Sequence, residues 1–123
     1  NLLNKVEDSL RHGLSEEGER VHVFTHLSHV YGQGSSIYTT YVFRPGDSYD
    51  TTLARWSKLK QAASRTIADN RGTISHQHGV GRDHAPYLQA EKGALGIAAL
   101  RSMAQHFDPE QRLAPGVLLE THE

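Results

Sequence analysis

The feature that most restricts the fold is a change of hydrophobic period at Val21. Before it, Leu3, Val6 and Leu10 recur at helical spacing, which predicts an amphipathic helix over residues 1–12. After it come two runs rich in β-branched and aromatic residues, VHVFTHLSHVY and SIYTTYVFR, with GQGS between them. The two runs and the GQGS segment between them predict a β-hairpin with a four-residue loop.

Two more helices and one short strand are predicted beyond the hairpin. The second helix begins at Ser48 or Asp50, both suitable N-caps, and ends before Gly72. Thr73–Ser75 is predicted as a short strand, and Pro86 suits the first turn of the third helix. The apolar stripes consist of Leu53, Trp56, Leu59, Ala63 and Ile67 in the second helix and Leu88, Leu95, Ala99, Met103 and Phe107 in the third. This order predicts an α+β fold, a small antiparallel sheet (the β-hairpin plus the short strand) with helices packed on one face.

Composition narrows the class of protein. The chain has 123 residues, 37% of them hydrophobic, which is enough for one domain with a core. Its net charge of −1 gives no electrostatic basis for binding nucleic acid. No apolar run is long enough for a spanning helix, so we expect no membrane-spanning segment. The absence of cysteine fits a reducing compartment, and we expect a cytoplasmic protein.

The four-residue loop of the predicted hairpin sets which side chains face each other. With Gly32 to Ser35 in the loop, His29 lies opposite Tyr38 on one face of the sheet. His26 then points to the other face and is partly buried, so the HxxH spacing of the two histidines is not a metal motif. The more apolar face, which should meet the helices, carries Phe24, Val30, Ile37, Tyr41 and Phe43. An ordinary cross-strand pair on a solvated face remains the alternative for His29 and Tyr38.

A histidine-rich loop, GTISHQHGVGRDHAP, places three of the nine histidines within nine positions. In an extended segment His76 and His78 project to the same side. Gly79 and Gly81 let the backbone pass close to a bulky partner. Three interpretations stay open: an active-site proton relay, a structural polar loop, and a metal site with His84 as the local third ligand.

These motifs resemble a known family. GTISHQHGVGRDHAPYL, followed by a helix and FDPEQRLAPG, resembles the C-terminal region of FAD-linked oxidases of the vanillyl-alcohol-oxidase superfamily. Within it, the alkylglycerone-phosphate synthase branch carries SHHHGVG after a hairpin with IYFYF, where this chain has SHQHGVG after IYTTYVF. The resemblance implies that residues 1–123 are a single C-terminal fragment, the second half of a partial ferredoxin-like cap domain plus the closing segment. The FAD-binding N-terminal domain would lie outside it and act as its partner, and a homodimer stays open.

The resemblance also implies a site. Its cofactor is FAD, held mainly by the missing N-terminal domain. Tyr38 corresponds to the hairpin tyrosine of the synthases, and His76 and His78 correspond to the outer histidines of their triplet, all implicated in activity. His29, across the strand from Tyr38 in the predicted register, is expected to join them as a catalytic residue. The residues expected to face the cofactor are Gln77, Gly79 and Gly81. Gln77 replaces the middle histidine of the synthase triplet and cannot exchange a proton at neutral pH.

The same comparison of motifs implies that no metal is bound. A sister group, the FAD-dependent D-2-hydroxyacid dehydrogenases, uses two hairpin histidines and a loop glutamate as metal ligands. Here Tyr38 and Gln77 stand in place of two of those ligands, while His29 is kept. Ala114 in LAPG also departs from the LNPG common in the superfamily, so a cofactor contact there is lost.

The expected parent is therefore a flavoenzyme that resembles the synthases of ether lipid formation, an alkyl transferase, and acts on a small phosphorylated or hydroxy-acid-like substrate. The first alternative is an oxidoreductase, an FAD-dependent dehydrogenase of 2-hydroxyacids or glycerol phosphate, with His78 as general base. The second is a stand-alone metal-binding module built on the histidine loop. In either flavoenzyme we expect this fragment alone to be inactive.

Overall fold

The structure, a computed structural model, describes residues 1–120. The chain divides into two compact units, Asn1–Ile67 and Ala68–Glu123, and each is described by itself. The α+β class predicted from the sequence is confirmed. The elements are helix α1 (Leu2–Arg11), a 3₁₀ turn (Ser15–Glu17), strands β1 (Val21–Tyr31) and β2 (Gly34–Phe43), helix α2 (Tyr49–Asp69), a second 3₁₀ turn (Ala85–Tyr87) and helix α3 (Leu88–Phe107).

The two strands form the predicted antiparallel hairpin, but its loop is shorter than predicted. Tyr31 pairs with Gly34, so only two residues connect the strands, and a bulge interrupts β1 between Leu27 and His29. Both features shift the register, and His26, not His29, lies opposite Tyr38. The predicted four-residue loop and the direct pairing of His29 with Tyr38 are therefore wrong.

Burial explains why this register is adopted. Val21 and Val23 are 6% and 3% exposed, and they lie on the face of the sheet that meets the helices. A shift by one residue would move both valines to solvent. Phe24 and Val30, predicted for the inner face, are instead 50% and 79% exposed. In β2 the prediction is confirmed, because its inner residues pack against the core: Ile37, Tyr41 and Phe43.

The core of the first unit lies between the sheet and two helices. From α1 it takes Val6 and Leu10, and from α2 it takes Leu59, which is fully buried. Each such side chain stabilises the fold by about 1.5–3 kcal/mol through removal from water. Helices on one face of the sheet are thus confirmed for this unit. The remaining core residues and their partly buried neighbours are Leu14, Val21 and Val23, then Leu2, Ile37, Tyr41, Phe43, Ala63 and Ile67.

Polar contacts fix the start of α2 relative to the end of β2. The N–H of Thr51 donates to Ser48 Oγ at 3.1 Å, which confirms Ser48 as the cap of this helix. Arg55, whose side chain is 13% exposed, donates to Glu17 Oε2 at 2.8 Å and to the carbonyl of Arg44 at 2.9 Å. One guanidinium therefore ties the first 3₁₀ turn, the strand end and the helix together.

The predicted strand at Thr73–Ser75 does not form, and the sheet has two strands within residues 1–120. The backbone N–H of Ile74 donates to the side chain of Glu91 at 3.2 Å instead of to a neighbouring strand. This carboxylate satisfies the donor that a strand would use for pairing. The segment is irregular for that reason.

Helix α3 is broken by Gly93, whose φ of 69° and ψ of 169° are almost restricted to glycine. Its predicted apolar stripe is buried only at Leu88, since Leu95 and Phe107 are 85% and 78% exposed. The prediction that this stripe packs is therefore wrong for the part of the chain that the structure describes. Among those residues, no helix combines the length and the apolar character that a bilayer crossing requires.

Candidate functional site

The outer face of the hairpin presents a histidine and a tyrosine in direct contact. His26 and Tyr38 are cross-strand partners, and their rings stack at 5.2 Å between centroids with 20° between planes. Tyr38 is 48% exposed, so its ring is open to a partner on that face. Sequence reasoning placed Tyr38 on the correct face but assigned His26 to the other one. That expectation for His26 is wrong.

The bulge also brings His29 to this outer face. His29 pairs with Ser36, and β2 is regular between Ser36 and Tyr38. His29 and Tyr38 therefore lie on the same side of the sheet. Ser28 Oγ lies 2.7 Å from His29 Nδ1, and the imidazole stacks beside Tyr31 at 6.3 Å between centroids. His26 and His29 therefore share a face, in contrast to the predicted opposition, but only His26 stacks on Tyr38.

The histidine loop is folded rather than extended. Gln77 has a φ of 66°, in the left-handed region, and Ser75 Oγ donates to the carbonyl of Gly79 at 2.5 Å. The alternation argument that placed His76 and His78 on one side is therefore wrong, because it requires an extended chain. The structure leaves His76 partly buried and His78 exposed.

The two glycines of this loop have the backbone conformations that their residue type permits. Gly79 and Gly81 have φ values of 75° and 63°, and an added Cβ at either would meet no atom within 4 Å. The space over this stretch of backbone is thus open. A flat group can approach the chain there without meeting a side chain at those two positions.

Contacts within the second unit hold the ends of the loop. Arg82 Nη2 donates to the carbonyl of Pro115 at 2.9 Å, and the N–H of Leu118 donates to the carbonyl of Gly81 at 3.0 Å. Asp108 accepts hydrogen bonds from the N–H groups of Arg112 and Leu113, both at 2.9 Å, and so shapes the turn that precedes the tail. The GVGR segment is held by the tail that follows α3.

Glu91 anchors the other end of the loop. Partial burial, the largest single effect, raises the pKa of Glu91, but hydrogen bonds from the Lys92 ammonium and the Ile74 N–H together outweigh it. The pKa therefore lies below the ordinary value of a glutamate. The ionised form of Glu91 is the one that binds the Ile74 N–H and fixes the entry to the histidine loop.

The predicted site residues fall into two sets. Tyr38 and His29 lie in the first unit, together with His26, and the second unit holds His76, Gln77, His78, Gly79 and Gly81. His26 is the residue that sequence reasoning missed, and the alternation of VHV at the start of β1 was the signal that could have found it. Within residues 1–120 no three side chains of the metal-binding types lie close enough to hold a metal ion.

Comparison with known proteins gives consistent matches. The family model of the FAD linked oxidases, C-terminal domain, matches residues 1–118. The alkyldihydroxyacetonephosphate synthase of Trypanosoma brucei brucei is 27% identical over 93% of this chain and 18% of its own length. That of Dictyostelium discoideum is 26% identical over 86% of the chain and 17% of its length. A D-2-hydroxyglutarate dehydrogenase of Xanthomonas citri pv. viticola is 40% identical over 58% of this chain and 15% of its own length. The chain thus spans less than a fifth of the length of these relatives.

Replacing Glu91 with glutamine should destabilise the protein in a pH-dependent way. Because the pKa of Glu91 is lowered by folding, its contribution is present above the ordinary glutamate pKa and is lost as pH falls through the lowered value. The free energies of unfolding of wild type and Glu91→Gln, measured with denaturant, should differ near neutral pH and converge as the pH falls below the lowered pKa of Glu91.

Glu110→Gln is the matched control, because Glu110 forms an exposed ion pair with Arg112. Such pairs contribute about 0–1 kcal/mol, so this variant should follow wild type throughout. If the free energies of unfolding of wild type and Glu91→Gln differed more as the pH falls, the role of ionised Glu91 as the anchor of the histidine loop would be contradicted.

Proposed function

The chain belongs to the FAD-linked oxidases, of which it is the C-terminal domain, and from that membership we propose that it forms the substrate side of a flavoenzyme active site. The family implies FAD as cofactor and an accompanying FAD-binding domain. We propose that this domain lies in the same polypeptide, outside residues 1–123, and that the present chain is inactive without it. Its contribution is then a set of side chains rather than a complete catalytic centre.

The histidine loop fits a flat cofactor ring better than it fits the phosphates of a dinucleotide. Gly79 and Gly81 leave open space above the backbone, and Gln77 and His78 stand exposed beside it. Residues 72–86 contain one cation, Arg82, and its Nη2 donates to the carbonyl of Pro115. This loop therefore offers a pyrophosphate no cluster of cations. FAD, when bound, supplies the ring at which the substrate carbon is activated. Gln77, Gly79 and Gly81 would face that ring.

The fraction of this chain that each relative matches favours the reaction of the synthases over that of the dehydrogenase. The two synthases match 93% and 86% of this chain, including both the hairpin and the histidine loop, whereas the dehydrogenase matches 58%. We therefore propose an enzyme of ether lipid formation that exchanges the acyl group of an acylated dihydroxyacetone phosphate for a long-chain alcohol. The acyl group leaves as a fatty acid, and the reaction involves no net oxidation.

Such an exchange requires a group that removes a proton beside the carbonyl and later returns it. The Tyr38 hydroxyl is the proposed group, since it lies on the exposed face of the hairpin. His29, on the same face of the hairpin, is proposed to pass this proton to solvent, because imidazole titrates near neutral pH. In the second unit, His76 and His78 are proposed as the acid–base groups of the histidine loop. Gln77 can hydrogen-bond the substrate or cofactor but takes no part in proton transfer.

A dehydrogenase of 2-hydroxyacids is the second candidate. The 40% identity to D-2-hydroxyglutarate dehydrogenase over 71 residues favours it. In that reaction His78, the exposed histidine of the loop, would remove the hydroxyl proton as hydride leaves for the cofactor. A stand-alone metal-binding module has no supporting cluster among residues 1–120.

Product balance separates the two candidates. The full-length protein, given acylated dihydroxyacetone phosphate and a long-chain alcohol, should release one fatty acid for each alkyl product and should reduce no added electron acceptor. The control is the same preparation given D-2-hydroxyglutarate and a dye acceptor. Dye reduction with the hydroxy acid, without exchange, would replace the synthase proposal by the dehydrogenase.

Two tyrosines of β2 provide a matched pair for testing the active face. In the full-length protein Tyr38→Phe should lower kcat about a hundredfold or more, because it removes a proton-transfer hydroxyl. Tyr41 packs against the core on the opposite face, so Tyr41→Phe should cost about 1 kcal/mol of stability and little rate. Steady-state rates and melting temperatures decide the matter. A near-normal rate for Tyr38→Phe with a large loss for Tyr41→Phe would place the active face on the other side of the hairpin.

A further inference from the structure

We infer that His26 is a positioning residue for Tyr38, an inference that rests on the proposed role of Tyr38. The imidazole lies flat against the phenol ring, 5.2 Å between centroids and 20° between planes. The two residues are direct cross-strand partners, so the contact is set by the hairpin register.

Little else in the first unit holds the ring of Tyr38. The hydroxyl has no hydrogen bond to any residue of the described range 1–120. Its neighbours on the same face of β2 are Ser36 and Thr40, whose side chains are short. A half-exposed aromatic side chain on a strand has several χ1 rotamers to choose from. The stack with His26 restricts that choice and keeps the hydroxyl in one place.

The two other histidines of β1 do not fill this role. His29 is held by Ser28 and stacks beside Tyr31, and its cross-strand pair with Ser36 lies two pairs nearer the loop than that of His26 with Tyr38. His22 lies beside Phe24, at 6.0 Å between ring centroids, and pairs with Val42. Both belong to the outer face, but neither lies against the Tyr38 ring.

The inferred role makes a specific chemical prediction about the side chain at position 26. Any flat ring of similar size should position Tyr38, because stacking needs the ring and not its nitrogen atoms. His26→Phe should therefore preserve the function, whereas His26→Ala should not. Because His26 is exposed, neither change should affect the melting temperature much.

The test uses the full-length protein and four variants: His26→Ala, His26→Phe, Tyr38→Phe and the double variant His26→Ala/Tyr38→Phe. His26→Ala should lower kcat about tenfold with little change in KM, since misplacement of a reacting group affects the chemical step. His26→Phe should restore kcat to within about threefold of wild type. In the Tyr38→Phe background, His26→Ala should have no further effect. His22→Ala, on the same face, is the control and should resemble wild type.

A second readout needs no substrate. With 3-fluorotyrosine incorporated, the ¹⁹F resonance that disappears in Tyr38→Phe belongs to Tyr38. This resonance should shift and broaden in His26→Ala, stay close to its original position in His26→Phe, and be unchanged in His22→Ala.

The outcomes separate the two claims. If wild type shows no exchange activity while the fluorine resonance behaves as expected, the proposed function fails and the contact between His26 and Tyr38 stands. Three results would overturn the positioning role itself: a His26→Ala enzyme with the kcat of wild type, additive losses in the double variant, or a His26→Phe enzyme as slow as His26→Ala.

Discussion

Burial of Val21 and Val23 against the two helices determines everything that the outer face of the hairpin presents. These valines belong to one cluster with Leu10 and Leu59, and their side chains must point inward. Because side chains alternate along a strand, this requirement sends His26 and Tyr38 outward together. Residues 21–43 contain no Asp, Glu, Lys or Arg, so no charged side chain interrupts that outer face. The register of one hairpin thus links the hydrophobic core to the proposed chemistry.

The sequence predicted those features that depend on local periodicity. Helices α1 and α2 and the existence of the hairpin follow from spacing and turn residues alone, and Ser48 was one of the two candidate caps of α2. The inner face of β2 was predicted correctly as well. The loop length and the bulge at Ser28 were not predicted, because the same residues are compatible with a four-residue GQGS loop and with a two-residue loop combined with a bulge in the preceding strand. His26 was misplaced for this reason.

The second unit departs further from the sequence-based expectation, and the causes are tertiary. The side chain of Glu91, seventeen residues away, binds the N–H of Ile74 and replaces the predicted strand pairing. A left-handed backbone at Gln77 folds the loop that was predicted to be extended. The apolar stripe of α3 is periodic as predicted, yet Leu95 and Phe107 remain exposed because periodicity does not specify a partner. The candidate residues were recognisable from their motifs, whereas their geometry was not.

The proposed function depends most directly on the outer face of the hairpin lying against the flavin. A tyrosine in contact with a flavin quenches its fluorescence by electron transfer, so the excited-state lifetime of FAD bound to the full-length protein reports that contact. Tyr38→Phe should lengthen this lifetime, and Tyr41→Phe, a change on the opposite face, should leave it as in wild type. A lifetime that responds to Tyr41→Phe and not to Tyr38→Phe, or to neither, would contradict the assignment of the active face.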